Sequence, residues 1–291
     1  MTLSIHHIAI NANDPGKIAA LYERAVGFSG VATADSTQWI AAPNGFIALH
    51  PTRTITAQDS PRVCDPGIGH FCIQTGDSDG IWGDLTDHGI IFSSKPAPLG
   101  TGVLYAYGRD PETTLIELEI VPDEAPTTRP WMGHIALVSS DLDRLAAFYA
   151  RLIGRTCHRE GTFANPAFKL ITGYDDVKVS AKWIMADNMI FEMWQYLNPP
   201  TVGVRVAETN APGYRHVGFA CANLAQESER IEAAGISVTM TQPIDGLPCA
   251  AGTDPDGNRF IIVEAVSGDH VLSLSNLAAP DFVSDRMRSA H

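Results

Sequence analysis

The stretch His134-Ile135-Ala136-Leu137 decides how this chain is interpreted. In a β-strand alternate side chains share a face, so His134 and Ala136 point one way and the two larger residues the other. A small residue beside the histidine leaves room on that face for a ligand. The pattern recurs at His7-Ile8-Ala9-Ile10, His70-Phe71-Cys72-Ile73 and His216-Val217-Gly218-Phe219. Four matches along one chain indicate an internal repeat.

Each repeat continues from its histidine strand into a helix and then further strands. In the first, Asp14 and Pro15 are typical of a helix start and Gly27 of a helix end. The turn Pro43-Asn44-Gly45 then separates two short apolar runs that predict strands. The other predicted elements are helices around 81–85, 141–154 and 224–235, and strands at 103–107, 115–118, 168–171, 179–183, 189–193 and 260–263.

The modules also resemble each other in pairs. The segment 21–27 resembles 148–154, and 109–112 resembles 253–256, so a unit of two modules has been duplicated. We predict a first domain of two modules at 1–121, a proline-spaced linker at 122–130, a second domain of two modules at 131–268, and a C-terminal tail at 269–291.

The bulk composition excludes several classes of protein. The chain of 291 residues is long enough for two domains with real cores, and its net charge of -13 disfavours nucleic acid or an anionic membrane as a partner. No apolar run approaches a membrane span. Five scattered cysteines without paired spacing favour reduced thiols and a cytoplasmic location. We expect a small-molecule substrate and either a monomer or a homodimer.

A histidine-led strand, a helix and three more strands, closed by a strand after Asp254-Pro255-Asp256-Gly257, resembles the vicinal oxygen chelate superfamily. That group contains glyoxalases, bleomycin-resistance proteins and extradiol dioxygenases. The resemblance runs from His7 to about Val266. It implies an α+β fold of four βαβββ modules in two cupped mixed β-sheet barrels, as in tandem glyoxalase-like domains. Each cup would surround a divalent metal ion held by a histidine from each first strand and a glutamate from each last strand.

By the same resemblance, the ligand glutamate falls four residues after the turn glycine of each last strand. Glu117 and Glu192 stand there in the second and third modules, but Ala48 and Ile261 occupy the position in the first and fourth. Glu264 lies on the opposite strand face and is no substitute.

Two pairings of the modules therefore remain open. Modules that pair within halves give two sites of two histidines and one carboxylate, the composition of non-heme Fe(II) oxygenases. Modules that exchange between halves give one complete four-ligand site and one site without glutamates. We favour exchange, because both losses then fall in one cup. The within-half sites are His7, His70, Glu117 and His134, Glu192, His216, and the exchanged site is His70, Glu117, His134 and Glu192.

The resemblance to glyoxalase I and methylmalonyl-CoA epimerase implies proton transfer next to a carbonyl, hence an isomerase, epimerase or lyase. It implies one Zn, Ni, Co, Mn or Fe(II) ion as Lewis acid, with Glu117 or Glu192 as the catalytic base. An Fe(II) extradiol dioxygenase that cleaves a catechol is the alternative enzyme. A metal-free binding or resistance protein is a third interpretation, supported by the missing glutamates and by Trp39, Trp183 and Trp194.

Overall fold

The computed structural model describes residues 2–52, 60–76, 80–121, 129–204, 210, 212–285 and 288. It has the α+β architecture expected from the sequence: four modules, each with a first strand, a helix and further strands, form two mixed sheets. Of the predicted linker, residues 122–128, with Pro122 and Pro126, lie outside the described residues. The domain limits 1–121 and 131–268 stay a prediction.

The first half of the chain contains the first two modules. Its elements are β1 (Ser4–Ala12), α1 (Pro15–Val26), β2 (Ser29–Val31), β3 (Gln38–Ala42), β4 (Gly45–Pro51), β5 (Gly67–Thr75), α2 (Ile81–Asp87), β6 (Ile91–Phe92), β7 (Ala97–Pro98), β8 (Leu104–Arg109) and β9 (Leu115–Ile120).

Among the described residues, the second half repeats this order with one additional helix and one strand fewer, and it ends in a short 3₁₀ turn at Leu274–Asn276. Its elements are β10 (Trp131–Val138), α3 (Leu142–Ile153), β11 (Arg159–Ala164), α4 (Phe168–Thr172), β12 (Lys178–Met185), β13 (Ile190–Asn198), β14 (Gly213–Cys221), α5 (Leu224–Ala233), β15 (Thr239–Ile244), β16 (Leu247–Thr253) and β17 (Arg259–Glu264).

The two halves exchange modules. One sheet has the order β15-β16-β17-β14-β1-β4-β3-β2, and the other β11-β12-β13-β10-β5-β9-β8-β6, with β7 also on β8. The first strands meet antiparallel at the centre of each sheet, β1 with β14 and β10 with β5. Modules one and four therefore build one cup, called here the outer-module cup, and modules two and three build the other, called the inner-module cup.

The predicted helix ends follow local chemistry. The carboxylates of Asp14 and Asp141 accept the backbone N–H of the residue three positions on, which satisfies donors that a first turn leaves without partners. Gly27 and Gly154 end these helices with φ of 77° and 78°, a left-handed conformation that costs glycine little. The helix spans predicted in the first and third modules are confirmed at these ends.

Two buried asparagines join the cups. Asn44, in the turn before β4, donates to the carbonyl oxygens of Met132 and Asn188. Asn188, in the turn before β13, donates to the carbonyl oxygens of Ile5 and Asn44, and its Oδ1 accepts the N–H of Ile5. Each side chain thus binds the first strand of a module in the other sheet. Both are fully buried, so these bonds fix how the sheets meet.

The strand predicted at 168–171 is wrong, because these residues form α4. Asn165 accepts a backbone N–H just before the helix, and Gly173 ends it with φ of 78°. Phe168 and Ile171 are buried, three positions apart on one helical face, whereas a strand would have buried alternate residues. A short apolar run alone does not distinguish the two.

The described part of the predicted tail packs across both cups. Leu272 and Leu274 are buried in the outer-module cup together with Trp39. The N–H of Ala279 donates to the carbonyl of Pro43, and the Phe282 ring lies 5.0 Å from that of Trp131. The tail is therefore part of the core rather than an appendage.

Candidate metal centre

His70 and His134 face each other at the centre of the inner-module cup. They lie on the antiparallel strands β5 and β10, whose register places His70 beside Ala136. Their Nε2 atoms are 3.1 Å apart, and both side chains are almost completely buried. Cys72 and Ala136, two positions after the histidines, are small and buried, so the imidazoles fit between the strands.

The two glutamates come from the strands parallel to these. Glu117 lies beside Cys72 in the register of β9 with β5, and Glu192 beside Ala136 in that of β13 with β10. Oε2 of Glu117 lies 3.0 Å from Nε2 of His70 and 2.9 Å from Nε2 of His134. Oε2 of Glu192 lies 3.2 Å from Nε2 of His134 and 3.8 Å from that of His70. The strand order thus brings together all four residues of the exchanged set.

The within-half sets are not brought together. His7 and His216 lie in the outer-module cup, where their Nε2 atoms are 2.9 Å apart. Ala48 and Ile261 occupy the places beside Ala9 and Gly218 that Glu192 and Glu117 take in the other cup. Glu264 points away and accepts the N–H of Leu224 at the start of α5. This cup therefore presents two imidazoles without a carboxylate partner on the same strands.

A third histidine extends the pair in the outer-module cup. His6 Nε2 contacts the carbonyl oxygen of Leu272 at 2.7 Å, so it carries the proton and donates. His6 Nδ1 must then accept from His7 Nδ1, which lies 2.7 Å away. His7 Nε2 in turn accepts from His216 Nε2. The three rings thus form a directed chain of neutral imidazoles that ends on the C-terminal segment.

The charges in the inner-module cup are strongly coupled. Burial alone would raise the pKa of Glu117, but His70 and His134 stabilise its anion and lower the pKa to about 2. Burial would lower the pKa of His134, but the carboxylates of Glu192 and Glu117 raise it to about 10. These interactions therefore hold a proton on the His134 imidazole beside the anionic carboxylate of Glu117.

The four residues fit a divalent ion. Their ligand atoms all lie within 4.8 Å of one another. Ion-to-ligand bonds of about 2.1 Å place neighbouring ligand atoms roughly 3.0 to 3.4 Å apart, close to the observed 2.9 to 3.8 Å. Within the described part of the chain, the buried Oε2 of Glu192 has no hydrogen-bond partner. Neutral imidazoles and carboxylates are donors that suit first-row divalent ions.

A cavity of about 760 Å³ opens on this cluster. Glu117 and Glu192 line its inner end, and Tyr105, Tyr107 and Trp194 line its walls. The indole N–H of Trp183 donates to Oε1 of Glu192, which fixes the plane of that carboxylate. A ligand that fills the cavity can therefore reach the four-residue cluster.

Glu119 lines the cavity, although the sequence did not identify it as a pocket residue. From the sequence, Glu119 shares the strand face of Glu117 and is expected to be solvated at the rim; the shared face is confirmed, but the solvated position is wrong. The side chain is buried, lines the cavity and accepts a hydrogen bond from Gln74, which also accepts from Trp131. Burial is the main cause that raises its pKa to about 7. The alternation of Glu117 and Glu119 along one strand was the available signal.

Comparison with known proteins decides the family. The model of the Glyoxalase/Bleomycin resistance protein/Dioxygenase superfamily matches residues 4–118 and 131–262. The chain belongs to this superfamily. The two matched segments show that the family unit is repeated, and the resemblance stated from the histidine strands is confirmed. The comparison with curated protein sequences gives no significant match.

Solved structures support the fold. Glyoxalase I from Zea mays is 18% identical, and the alignment covers 90% of this chain and 92% of that one with a TM-score of 0.65. A dioxygenase-like protein from Bacillus subtilis is 13% identical, with 98% and 93% covered and a TM-score of 0.62. At these identities the similarity shows the fold alone. No helix in the described ranges combines the length and the hydropathy that a membrane span requires.

Proposed function

We propose that the chain is a divalent-metal-dependent enzyme that moves a proton on a carbon next to a carbonyl, as an isomerase, epimerase or lyase. One observation carries the proposal: His70, Glu117, His134 and Glu192 converge at the inner end of a cavity. The cavity lets a small molecule place two adjacent oxygens beside the cluster. Zn, Ni, Co, Mn and Fe(II) all suit this donor set.

A bound ion would supply Lewis-acid stabilisation of the enolate oxygen that forms when the proton leaves carbon. The chain itself supplies the base. Oε2 of Glu192 has no hydrogen-bond partner in the described residues, whereas Oε2 of Glu117 lies within 3.0 Å of both histidines. We therefore assign proton abstraction to Glu192 first and to Glu117 second. Trp183 holds the Glu192 carboxylate toward the cavity while the proton moves.

Proton exchange tests this proposal without knowledge of the natural product. 2-Hydroxyacetophenone has adjacent oxygens and acidic protons next to its carbonyl, so metal-loaded protein should speed exchange of those protons in D₂O, measured by NMR. The substitution Glu192→Gln should slow the catalysed exchange by about 10²-fold or more. Glu232→Gln, on the exposed face of α5, is the control and should leave it unchanged. Equal exchange in wild type and Glu192→Gln would contradict the role of Glu192.

Fe(II) extradiol cleavage of a catechol is the second candidate. The aromatic walls of the cavity favour it, because they suit a flat ring. The fourth ligand weighs against it, since that chemistry uses two histidines and one carboxylate. Oxygen uptake by iron-loaded protein with substituted catechols separates the two reactions. A metal-free binding protein, the third interpretation, would bind such rings equally well without an ion.

We further propose a cytoplasmic protein that acts on a small molecule, without nucleic acid or membrane as partner, as a monomer or a homodimer. All five cysteines are free thiols, in keeping with a reducing compartment. The net charge of -13 supports the exclusion of polyanionic partners.

A further inference from the structure

The cavity is larger than a bare oxygen chelator needs. Its volume of about 760 Å³ lies in the upper part of the range for sites that enclose drug-sized ligands. A three-carbon dicarbonyl would fill only the end beside Glu117 and Glu192. The remaining space must accommodate another part of the substrate, and the side chains around it describe that part.

The wall that leads away from Glu192 is aromatic. Trp183, which donates to the Glu192 carboxylate, lies 5.9 Å from Phe163 and 6.1 Å from Trp194, measured between ring centres. Trp194 continues to Tyr196 at 6.5 Å. These rings are edge-on or tilted to one another, so they present both edges and faces to the cavity. Such a surface favours an aromatic or other flat apolar group.

Two segments close over this wall. Helix α4 contributes Phe168 and Ile171, and within the described residues no other module has a helix between its second and third strands. The loop before β8 contributes Leu99 and Val103. The Asn165 side chain donates to the carbonyl of Leu99 at 3.0 Å and so joins the two segments. The apolar enclosure is thus a structural feature of the inner-module cup.

The charges in the cavity limit the substrate further. Among the described lining residues, Arg159 is the one cation, and its guanidinium lies 5.0 Å from the centre of the Trp183 ring. Glu119 also lines the cavity, and its carboxylate lies within 4.8 Å of the ligand atoms of Glu117 and His134. A substrate with one anionic group can pair with Arg159, whereas further anionic groups would find no second cation among these described lining residues.

We propose that the substrate carries its two adjacent oxygens on an aryl group, or beside one, and bears at most one negative charge on that group. The aryl ring packs against Trp183, Trp194 and Phe163, beneath α4. The inference rests on the proposed function, because the two oxygens are assigned to an ion at the four-residue cluster. It is compatible with proton transfer and with ring cleavage.

Two hydroxamates with the same pair of chelating oxygens test the inference. Benzohydroxamate carries a phenyl ring and acetohydroxamate a methyl group. Their dissociation constants are measured by calorimetry on Ni-loaded and metal-free protein, with the metal content verified after each titration. We expect both to bind in a metal-dependent way and benzohydroxamate to bind at least about tenfold more tightly, because the ring leaves water for an aromatic wall.

Variants locate the effect. Trp194→Ala should reduce the preference for benzohydroxamate to about threefold or less, whereas Trp82→Ala, whose ring packs on Phe92 outside the cavity, should leave it unchanged. Circular dichroism establishes that both variants fold. Addition of two carboxylates to the ring, as in 3,5-dicarboxybenzohydroxamate, should weaken binding at least tenfold.

The outcomes separate this inference from the proposed function. Metal-dependent binding of both hydroxamates with equal affinity would overturn the aryl site and leave the metal centre standing. Tight binding of benzohydroxamate that ignores the metal would support the aryl site and contradict the assignment of the oxygens to an ion. Absence of binding by either compound to the metal-loaded protein would contradict both.

Discussion

Mild acid should destabilise this protein through the histidine chain of the outer-module cup. Burial lowers the pKa of His6 from 6.5 to about 4, and the same cause holds the pKa of His7 and of His216 well below 6.5. Protonation of His6 would place a second proton between its Nδ1 and that of His7, where only one fits. The folded protein therefore resists a proton that the unfolded chain accepts.

The magnitude follows from the two pKa values of His6. Because the folded-state pKa is the lower one, its contribution to stability is complete above pH 6.5 and is lost as the pH falls toward 4. Between pH 7 and pH 5 the unfolded chain binds nearly one more proton at this residue, which costs about 2 kcal/mol of unfolding free energy. His7 and His216 add losses in the same direction.

Urea unfolding at pH 7 and pH 5 measures the effect. A matched His6→Gln variant keeps a donor for the Leu272 carbonyl but has no proton to bind. Wild type should lose about 2 kcal/mol more than the variant over this interval. The difference between the two proteins cancels the titration of all groups that the substitution leaves unperturbed. Equal losses would refute the neutral histidine chain.

Two further predictions concern the cup interface and the metal centre. Asn188→Ala removes three buried hydrogen bonds to Ile5 and Asn44 and should lower the unfolding free energy by about 3 kcal/mol in urea titrations. The control Asn276→Ala, at an exposed position, should cost less than about 1 kcal/mol. Equal losses would contradict the role of Asn188 in joining the two cups. Because the pKa of His134 is raised to about 10, binding of Zn at pH 7 should release about one proton, seen by calorimetry in buffers of different ionisation enthalpy. Buffer-independent heats would show that the imidazole was already neutral.

The repeat carried most of the fold information. The four histidine patterns form strands as predicted, and the structure places these strands at the centre of the two sheets, buried on both faces. The positions of Glu117 and Glu192 also followed from counting, since a parallel neighbour in fixed register puts them beside Cys72 and Ala136. The repeated pattern determines the register between the first and last strands of a module, and this register brings the histidine and the glutamate of that module together.

The small residue two positions after each histidine was expected to leave room for a ligand, but the structure gives a different explanation. A Cβ at Gly218 would lie 2.1 Å from the ring of His7, so the space there is occupied by the partner histidine rather than by a ligand. No local sequence pattern predicts this contact, because Gly218 and His7 are far apart in the chain. For a similar reason, the sequence did not determine whether modules pair within halves or between them. The first strands of all four modules present similar edges for pairing.

The positions of other residues could not be predicted from the sequence, because they depend on packing between distant segments. Strict alternation would point His6 and His7 to opposite faces of the strand, but a register shift of β1 between Ile5 and His7 lets the two rings meet in the outer-module cup. The contact of His6 with the carbonyl of Leu272 comes from the far end of the chain and has no local signal. Glu119 is buried because Gln74 accompanies it from the neighbouring strand. Helix α4 was taken for a strand because five residues are too few for a period to show.

The metal content per chain tests the central claim most directly. It is measured on protein purified without oxygen and without an affinity tag, for wild type, His134→Ala and His216→Ala, after circular dichroism establishes that each is folded. The exchanged arrangement predicts about one ion in wild type and in His216→Ala, and none in His134→Ala. Two ions per wild-type chain, or loss of the ion in His216→Ala, would contradict a single centre of His70, Glu117, His134 and Glu192.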